Sequence, residues 1–200
     1  MARCGFRSKG FFVMDGSRRS AHANAYFTGF GSSKRVVFYD TLLKQLTPSE
    51  VEAVLAHELG HFHHRHILKR LVMMGLVSLL GFALLGWLSG QLGFYLGLGV
   101  VPDLLGGNEA LALLLFLMVT PLISFFLSPL MAATSRQHEF EADAYAARQA
   151  PAHDLIAALL KLYRDNASTL TPDPWYVRFY YTHPPAAARL QHLSRMGGET

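Results

Sequence analysis

The chain contains 200 residues, of which 51% are hydrophobic and 16% are charged, and its formal net charge is +4 at pH 7. This composition is too apolar for an ordinary soluble globular protein. The basic residues form no stripe with interleaved aromatic residues, so a nucleic-acid partner is excluded. The single cysteine, Cys4, excludes an intramolecular disulfide. We therefore expect a mainly α-helical integral membrane protein with a small β-sheet.

The first domain, residues 1–46, is predicted to form a small antiparallel sheet. Three short runs of β-branched and aromatic residues are separated by glycine- and serine-rich breaks: 11–14, 25–28 and 35–39. An exposed strand edge binds a peptide through main-chain hydrogen bonds, which any sequence can make. We therefore expect the start of the second strand to bind substrate, through Asn24, Ala25 and Tyr26. An ordinary turn role for Asn24 fits the spacing equally well.

A helix follows, and we assign it to residues 47–70. The sequence Thr47-Pro48-Ser49-Glu50 is typical of a capping box, with Thr47 as the N-cap and Pro48 at the first helical position. Apolar residues then recur at helical spacing. The motif H-E-L-G-H therefore lies on a helix.

This motif places two imidazoles one turn apart on one helix face. His57 and His61 stand at i and i+4, where both side chains can reach one ion. Glu58 projects about 100° around the helix from His57, where it can contact a water at the metal without being a ligand. The pattern indicates the first half of a zinc peptidase site. The metzincin pattern is excluded, because His64 and Ile67 replace its glycine and its last histidine.

A third ligand is predicted on a second helix, at about 135–149. Glu139 and Asp143 share one face of this helix, four residues apart. A zinc-bound histidine usually donates its other N–H to a carboxylate or carbonyl. We therefore assign Glu139 as the third ligand and Asp143 as the residue that orients a ligand histidine. Glu141 points elsewhere on the helix and is expected to be solvated.

Two uncharged runs predict two transmembrane helices and a connector, between residues 71 and 133. They cover residues 71–102 and 110–131, and each is long enough to cross a hydrocarbon core of about 30 Å. Two buried core helices are the alternative, although buried helices seldom contain such long apolar runs. Basic residues flank the outer ends of both runs: Arg65, Lys69, Arg70 and Arg136. By the positive-inside rule, both outer ends and the zinc site face the cytoplasm.

The transmembrane hairpin explains how two distant half-sites can meet. About 78 residues separate His61 from Glu139, yet two spans return the chain to the side that it left. The last domain, residues 134–200, is predicted to be a helical segment that carries the third ligand. Its further parts are a helix at about 152–165, a loop at 171–183 and a helix from Pro184.

Five motifs follow one another along nearly the whole chain. They are N-A-Y-F-x-G-F-G from Asn24, V-F-Y-D-T-L-L from Val37, H-E-L-G-H from His57, E-F-E-A-D-A from Glu139 and T-H-P-P from Thr182. Together they resemble the type I CAAX prenyl endopeptidases, which are membrane gluzincins related to the HtpX heat-shock proteases. The ordered set is far more specific than any one of its motifs.

The resemblance implies a gluzincin-like fold in which the transmembrane hairpin lies between the halves of the zinc site. It implies one Zn²⁺ ion with its ligands and catalytic base at the positions derived above: His57, His61, Glu139 and Glu58. It further implies that Asn24 binds substrate and that His183 stabilises the tetrahedral intermediate. Arg189 falls on a family position where it partners carboxylates near the metal.

The chain resembles only the carboxy-terminal half of these enzymes. It is therefore either a compact relative that assembles as a homo-oligomer or a fragment of a longer enzyme. His66 matches a later family histidine, whereas His63 and His64 are extra residues that we assign to a solvated face near the membrane. His138 has no recognisable constellation around it in the sequence.

The sequence therefore predicts a membrane-embedded zinc endopeptidase that cleaves peptide or protein substrates. Prenylated C-terminal peptides are the substrates that the resemblance favours, and quality control of membrane proteins, as in HtpX, is the alternative. A metal-binding membrane protein without catalysis is the third hypothesis. Transport sites usually place ionisable residues inside the spans, and both predicted spans lack charged residues.

Overall fold

A small mixed sheet begins the fold in the computed structural model, which describes residues 11–19, 24–28, 35–165 and 171–198. Strands β1 (Phe11–Met14), β2 (Ala25–Thr28) and β3 (Arg35–Tyr39) are arranged in the order β1-β3-β2. β2 pairs with β3 antiparallel, as predicted, but β1 pairs with β3 parallel. The middle of β3 is buried, at Val36, Val37 and Phe38. This strand is the central one, and it is hydrogen-bonded to β1 along one edge and to β2 along the other.

A 3-10 helix at Gly16–Arg18 follows β1, and eight α-helices follow the sheet in the described residues. They are α1 (Asp40–Gln45), α2 (Pro48–His63), α3 (His66–Ser89), α4 (Leu92–Gly97), α5 (Glu109–Gln149), α6 (Ala152–Asp165), α7 (Pro174–Tyr180) and α8 (Ala186–Gly197). The predicted loop at 171–183 therefore contains a short helix, α7. Asp173 caps it by accepting a hydrogen bond from the Tyr176 backbone N–H at 2.9 Å. The last helix begins at Ala186, two residues after the predicted start.

The start of α2 is the predicted capping box. The Thr47 backbone N–H donates to Glu50 Oε2 at 2.7 Å, and the Glu50 N–H donates to Thr47 Oγ1 at 3.4 Å. Lys161 on α6 donates to the same Glu50 oxygen at 2.7 Å. The helix ends at His63, because Arg65 adopts the left-handed conformation with φ 56° and separates α2 from α3.

Helices α3 and α5 are long and apolar enough to cross a membrane. The most apolar window of α3 has no buried residue, and 11% of the corresponding window of α5 is buried. These exposed surfaces contradict the alternative of two buried core helices. The first apolar helix ends at Ser89, and the short helix α4 occupies Leu92–Gly97 of the uncharged run.

Helix α5 is one continuous helix of 41 residues. The sequence predicted its two halves separately, as a span and as a ligand-bearing helix. Pro121 and Pro129 lie inside it, and each lacks the N–H that a helix bond requires. The carbonyl of Phe125, which would pair with residue 129, instead accepts from Ser128 Oγ at 2.7 Å. Side-chain hydroxyls therefore help to keep the helix unbroken.

The polar end of the molecule is built on a compact apolar core. β3, α1, α2, α5, α6 and α8 contribute its buried side chains, of which the largest are Val36, Leu42, Leu155 and Leu193. Helix α2 contacts both α5 and α6, and α8 contacts α5 and α6. This packing holds α2, α5 and α8 together at the end of the molecule where the H-E-L-G-H and E-F-E-A-D-A motifs lie.

Candidate metal centre

The crossing of α2 and α5 brings the two half-sites together. Gly60 lies at this crossing, where a Cβ atom would be 2.8 Å from Ala142 Cα and 3.0 Å from its carbonyl oxygen. Ala53, Ala56 and Ala146 are also buried along these two helices. Small side chains let the backbones approach closely. The glycine inside H-E-L-G-H therefore has a packing role in addition to its place in the motif.

His57, His61 and Glu139 converge at this crossing, and their ligand atoms lie within 4.8 Å of one another. His57 Nε2 and His61 Nε2 are 3.3 Å apart. Glu139 offers one oxygen to each imidazole, with Oε1 at 3.3 Å from His61 Nε2 and Oε2 at 3.6 Å from His57 Nε2.

These separations match a tetrahedral zinc site. Zinc binds histidine nitrogen and carboxylate oxygen at about 2.0–2.2 Å, so two tetrahedral ligands lie about 3.3–3.5 Å apart. Two imidazoles and one carboxylate are also a donor set that catalytic zinc uses, with a fourth position left open. The described residues therefore offer a donor set and a spacing that fit a zinc ion.

Asp143 and Arg189 contact the residues of this cluster and each other. Asp143 is fully buried, and its Oδ1 lies 2.8 Å from His57 Nδ1. Arg189 Nε and Nη2 donate to the two carboxylate oxygens of Asp143 at 2.8 and 2.6 Å. Arg189 Nη1 also lies 3.3 Å from Glu139 Oε2. Asp143 therefore lies beside a candidate ligand histidine, and its orienting role stays a prediction.

Both carboxylates are held in the charged form. Burial raises the pKa of Glu139, but the hydrogen bond from His61 and the nearby charges of His57 and Arg189 outweigh this effect and lower the pKa to about 2. Burial also raises the pKa of Asp143, and its hydrogen bonds with Arg189 and His57 bring it down to about 2. A buried anionic cluster of this kind attracts a cation.

Glu58 has a different environment from the other two carboxylates. It is half-buried on α2, one residue after His57. Burial raises the pKa of Glu58, while the neighbouring imidazoles of His57 and His61 oppose the rise. A carboxylate whose pKa moves toward neutrality is suited to accept and return a proton near pH 7.

His183 stands at the open side of the cluster. Its side chain is 67% exposed, and its Nε2 lies 3.5 Å from Glu139 Oε1. It borders a cavity of about 380 Å³ that is lined by residues 180–186 and Tyr163. Arg136 on α5 holds the start of this segment by donating to the carbonyls of Val177 and Tyr181 at 3.0 and 2.7 Å.

The predicted substrate-binding residues lie on the sheet. Asn24 is exposed, and its carbonyl accepts a hydrogen bond from the Tyr39 backbone N–H at 2.9 Å. Ala25 packs against the apolar core, and the ring of Tyr26 contacts that of Tyr39 edge-on. β2 forms one edge of the three-stranded sheet. Among the described residues, none of these three makes a hydrogen bond or ion pair with the metal cluster.

Two residues, Glu141 and His138, have surroundings that the sequence did not indicate. Glu141 was expected to be solvated, but it is half-buried and its Oε2 lies 2.9 Å from His66 Nε2. His138 was expected to stand alone, but its ring stacks on His66 with centroids 4.0 Å apart. The helical wheel places Glu141 off the face shared by Glu139 and Asp143, but His66 at the start of α3 covers it there.

Comparisons with known proteins agree with this geometry. The model of peptidase family M48 matches residues 1–197. CAAX prenyl protease 1 of Saccharomyces cerevisiae is 37% identical over 203 residues, which cover 96% of this chain and 45% of that protein. The human CAAX prenyl protease 1 homolog is 32% identical over 225 residues, covering 92% of this chain and 46% of that protein.

A solved structure shows the same fold. The crystal structure of Ste24p from S. mikatae matches with a TM-score of 0.83 and 36% identity, over 96% of this chain and 47% of that one. The chain thus spans a little under half the length of these relatives. Its likeness to Ste24p and its exposed apolar helices support an integral membrane protein. On sequence and structure alike, the chain belongs to peptidase family M48.

Proposed function

We propose that this chain carries the active site of a membrane zinc endopeptidase of the CAAX prenyl protease type. The observation that carries the proposal is the set of ligand-to-ligand distances, 3.3, 3.3 and 3.6 Å, among two imidazoles and one carboxylate. Zinc would be held by His57, His61 and Glu139. When bound there, zinc acts as a Lewis acid that polarises the scissile carbonyl and makes water a nucleophile at neutral pH.

Glu58 is the proposed general base. It accepts a proton from the attacking water and then donates that proton to the leaving amine, so no Ser or Cys nucleophile is required. Its raised pKa suits both directions of transfer. Asp143 and Arg189 do not touch the reacting atoms in this proposal. They hold the ring of His57 in the orientation that leaves Nε2 facing the cluster.

His183 is the proposed donor to the oxyanion of the tetrahedral intermediate. Its Nδ1 lies 3.2 Å from the Thr182 hydroxyl. When that hydroxyl donates to Nδ1, the ring proton resides on Nε2, which faces the cluster. A donor aimed at developing charge contributes about 3 kcal/mol to transition-state stabilisation.

The proposed substrates are peptides or proteins, and prenylated C-terminal peptides are the first class to test. The relatives that match the chain are named CAAX prenyl proteases. The edge of β2 that faces away from β3 in the described sheet, with Asn24, Ala25 and Tyr26, would hold the peptide in extended form. Basic residues at the outer ends of both spans favour a site on the cytoplasmic side.

The decisive experiment compares the wild-type chain with Glu58→Gln in detergent. We expect near-unit zinc in both proteins by atomic spectroscopy, and a loss of peptide hydrolysis of about 10²–10⁴-fold in the variant. Chelation should abolish hydrolysis in the wild type, and added zinc should restore it. Unchanged hydrolysis in Glu58→Gln would remove this residue from its role. Zinc binding by a wild-type chain with no hydrolysis would favour a non-catalytic metal protein.

Mass spectrometry of the products separates the substrate classes. A farnesylated CAAX peptide, its unprenylated counterpart and a misfolded membrane protein should be offered to the same preparation. Cleavage that depends on the prenyl group supports the proposed class. Preferential cleavage of the misfolded membrane protein would support the quality-control alternative.

A further inference from the structure

His61 also contacts a histidine outside the metal cluster, His66, through its other ring nitrogen. His61 Nδ1 is 3.0 Å from His66 Nδ1, and His66 Nε2 is 2.9 Å from Glu141 Oε2. The other oxygen of Glu141 accepts a hydrogen bond from Gln137 Nε2 at 3.0 Å. The polar atoms therefore form an ordered chain from the metal cluster to the rim of the protein.

The positions of the protons in this chain follow from ordinary imidazole chemistry. A neutral imidazole has one nitrogen that donates and one that accepts. When zinc is bound, His61 presents the lone pair of Nε2 to the ion, so its proton is on Nδ1 and is donated to His66 Nδ1. His66 then carries its own proton on Nε2, where Glu141 accepts it. Each hydrogen bond from His61 to Gln137 then pairs one donor with one acceptor.

The surrounding structure holds His66 in this position. His66 is buried, and the ring of His138 stacks on it at an interplanar angle of 11°. The backbone reaches His66 only through the left-handed conformation of Arg65, with φ 56°. Residues other than glycine rarely adopt this conformation, and such outliers cluster at functional sites. A continuous helix through residue 65 would place His66 elsewhere.

We propose that His66 and Glu141 are positioning residues for His61, as Asp143 is for His57. The proposal rests on the zinc site of the proposed function. Both ligand imidazoles then have a fixed tautomer. His57 contacts the Asp143 carboxylate directly, whereas His61 contacts His66, which in turn contacts the Glu141 carboxylate; we call this second arrangement the relay. Second partners of this kind change metal affinity by roughly 10–100-fold when they are removed.

A second metal ion is the competing explanation of the same residues. Ligand atoms of His64, His66 and Glu141 also lie within 4.8 Å of one another. An ion at His66 Nε2 would move the ring proton to Nδ1, where it would face the proton of His61 Nδ1. Two donors would then oppose each other at 3.0 Å. The relay is therefore compatible with zinc at His61, and a second ion on His66 Nε2 is not.

The test measures zinc affinity of the full chain in detergent, by competition with a chromogenic chelator. His66→Phe removes the acceptor and should weaken zinc binding roughly 10–100-fold. His66→Asn places an amide oxygen where Nδ1 stood, so it should restore most of the affinity. Glu141→Ala leaves His66 without its acceptor and should give an intermediate loss. His64→Ala is the matched control: the His64 ring stacks on His66 with centroids 5.5 Å apart but makes no hydrogen bond of the relay, so this variant should bind zinc like the wild type.

Thermal unfolding of each zinc-free protein separates positioning from folding. If His66→Phe does not fold, the contrast between Glu141→Ala and His64→Ala decides the question. Wild-type affinity in both Glu141→Ala and His66→Phe would overturn the relay. Two zinc ions per wild-type chain, with one lost in His64→Ala, would overturn it in favour of a second metal site. Tight binding of one zinc ion without peptide hydrolysis would instead contradict the proposed activity and leave the relay standing.

Discussion

The metal centre and the two apolar helices differ in what they bury. Around the centre, Asp143, Arg189, Glu139 and His57 are all buried, and each has a polar partner. In α3, by contrast, His66 is the one buried residue in the described structure, while most of the apolar side chains of this helix are exposed. Water is excluded from the first region by protein, and the second suits a lipid environment that excludes water itself.

This contrast indicates how the two regions divide the work. The buried polar cluster depends on individual atoms, because each group that loses its partner retains a desolvation cost. The apolar helices depend on length and hydrophobicity, which many sequences provide. Substitutions should therefore have large effects near the centre and small effects on the exposed faces of the spans.

The largest effect on stability is expected for Asp143→Ala. The substitution leaves Arg189 buried without its bidentate partner and His57 without its acceptor, and should destabilise the fold by about 3–5 kcal/mol. Unfolding in detergent, followed by circular dichroism, measures this loss. The double variant Asp143→Leu with Arg189→Met removes both charges and should recover much of the stability, although not zinc affinity. Equal stability of the single variant and the wild type would contradict the first half of the contrast.

Gly60→Ala and Gly75→Ala compare one chemical change in the two regions. A Cβ on Gly60 would lie 2.8 Å from Ala142 Cα, whereas nothing lies within 4 Å of a Cβ on Gly75. We expect Gly60→Ala to cost about 1–3 kcal/mol through overpacking and to weaken zinc binding. Gly75→Ala should change stability by less than about 1 kcal/mol. The same unfolding measurement serves both, and equal losses would mean that the α2–α5 crossing is not tight.

Arg136→Ala tests how α5 positions His183, the most exposed of the proposed catalytic residues. Without the two hydrogen bonds to the Val177 and Tyr181 carbonyls, the segment carrying His183 loses its anchor on α5. We expect kcat to fall roughly tenfold with little change in zinc content, because small misplacements of catalytic groups are costly. Arg178→Ala is the matched control, since that guanidinium lies over the exposed ring of Trp175. Identical steady-state kinetics of the two variants would contradict the anchoring role.

The smallest effect is expected for Glu50→Gln at the start of α2. Burial raises the pKa of Glu50, but hydrogen bonds from Lys161 and Thr47 outweigh it and the net shift is downward. The charged form therefore stabilises the fold above about pH 4.5, and this contribution is lost as the pH falls through the lowered pKa.

At pH 7 the variant should lose about 1 kcal/mol, a typical cost for a damaged cap. The difference from the wild type should shrink on acidification below pH 4.5. Denaturant unfolding of both proteins at pH 7 and at pH 4 measures it. A difference that grows with acid would show that the carboxylate is not stabilising.

Local signals in the sequence predicted much of this structure. The strand at 35–39 and the capping box at Thr47 depend on neighbours within a few residues, and both are found as predicted. The cluster of His57, His61 and Glu139 was also predicted, because each helix supplies its residues at i and i+4. Only their meeting required an argument about the fold, and the return of the chain through the hairpin provided it.

Contacts between distant segments account for what the sequence did not reveal. His66 and Glu141 are 75 residues apart in the chain, so no local periodicity connects them. Position 65 is an arginine rather than a glycine, so the sequence does not indicate its left-handed conformation. The end of α2 was therefore placed too late. The unbroken course of α5 was not predicted, because the uncharged run ends at residue 131 and the helix that carries Glu139 was assigned separately, from about residue 135. The parallel pairing of β1 depends on tertiary packing in the same way.

The continuity of α5 has a mechanical consequence. A rod of 41 residues is about 60 Å long, and Glu139 lies about 28 Å from the middle of its apolar half. Rotating the rod by 10° about that middle would swing Glu139 through about 5 Å, more than one ligand-to-ligand spacing. The close contact at Gly60 resists such a swing, while a bilayer of unsuitable thickness favours it through hydrophobic mismatch. Turnover in vesicles of graded acyl-chain length should therefore pass through an optimum.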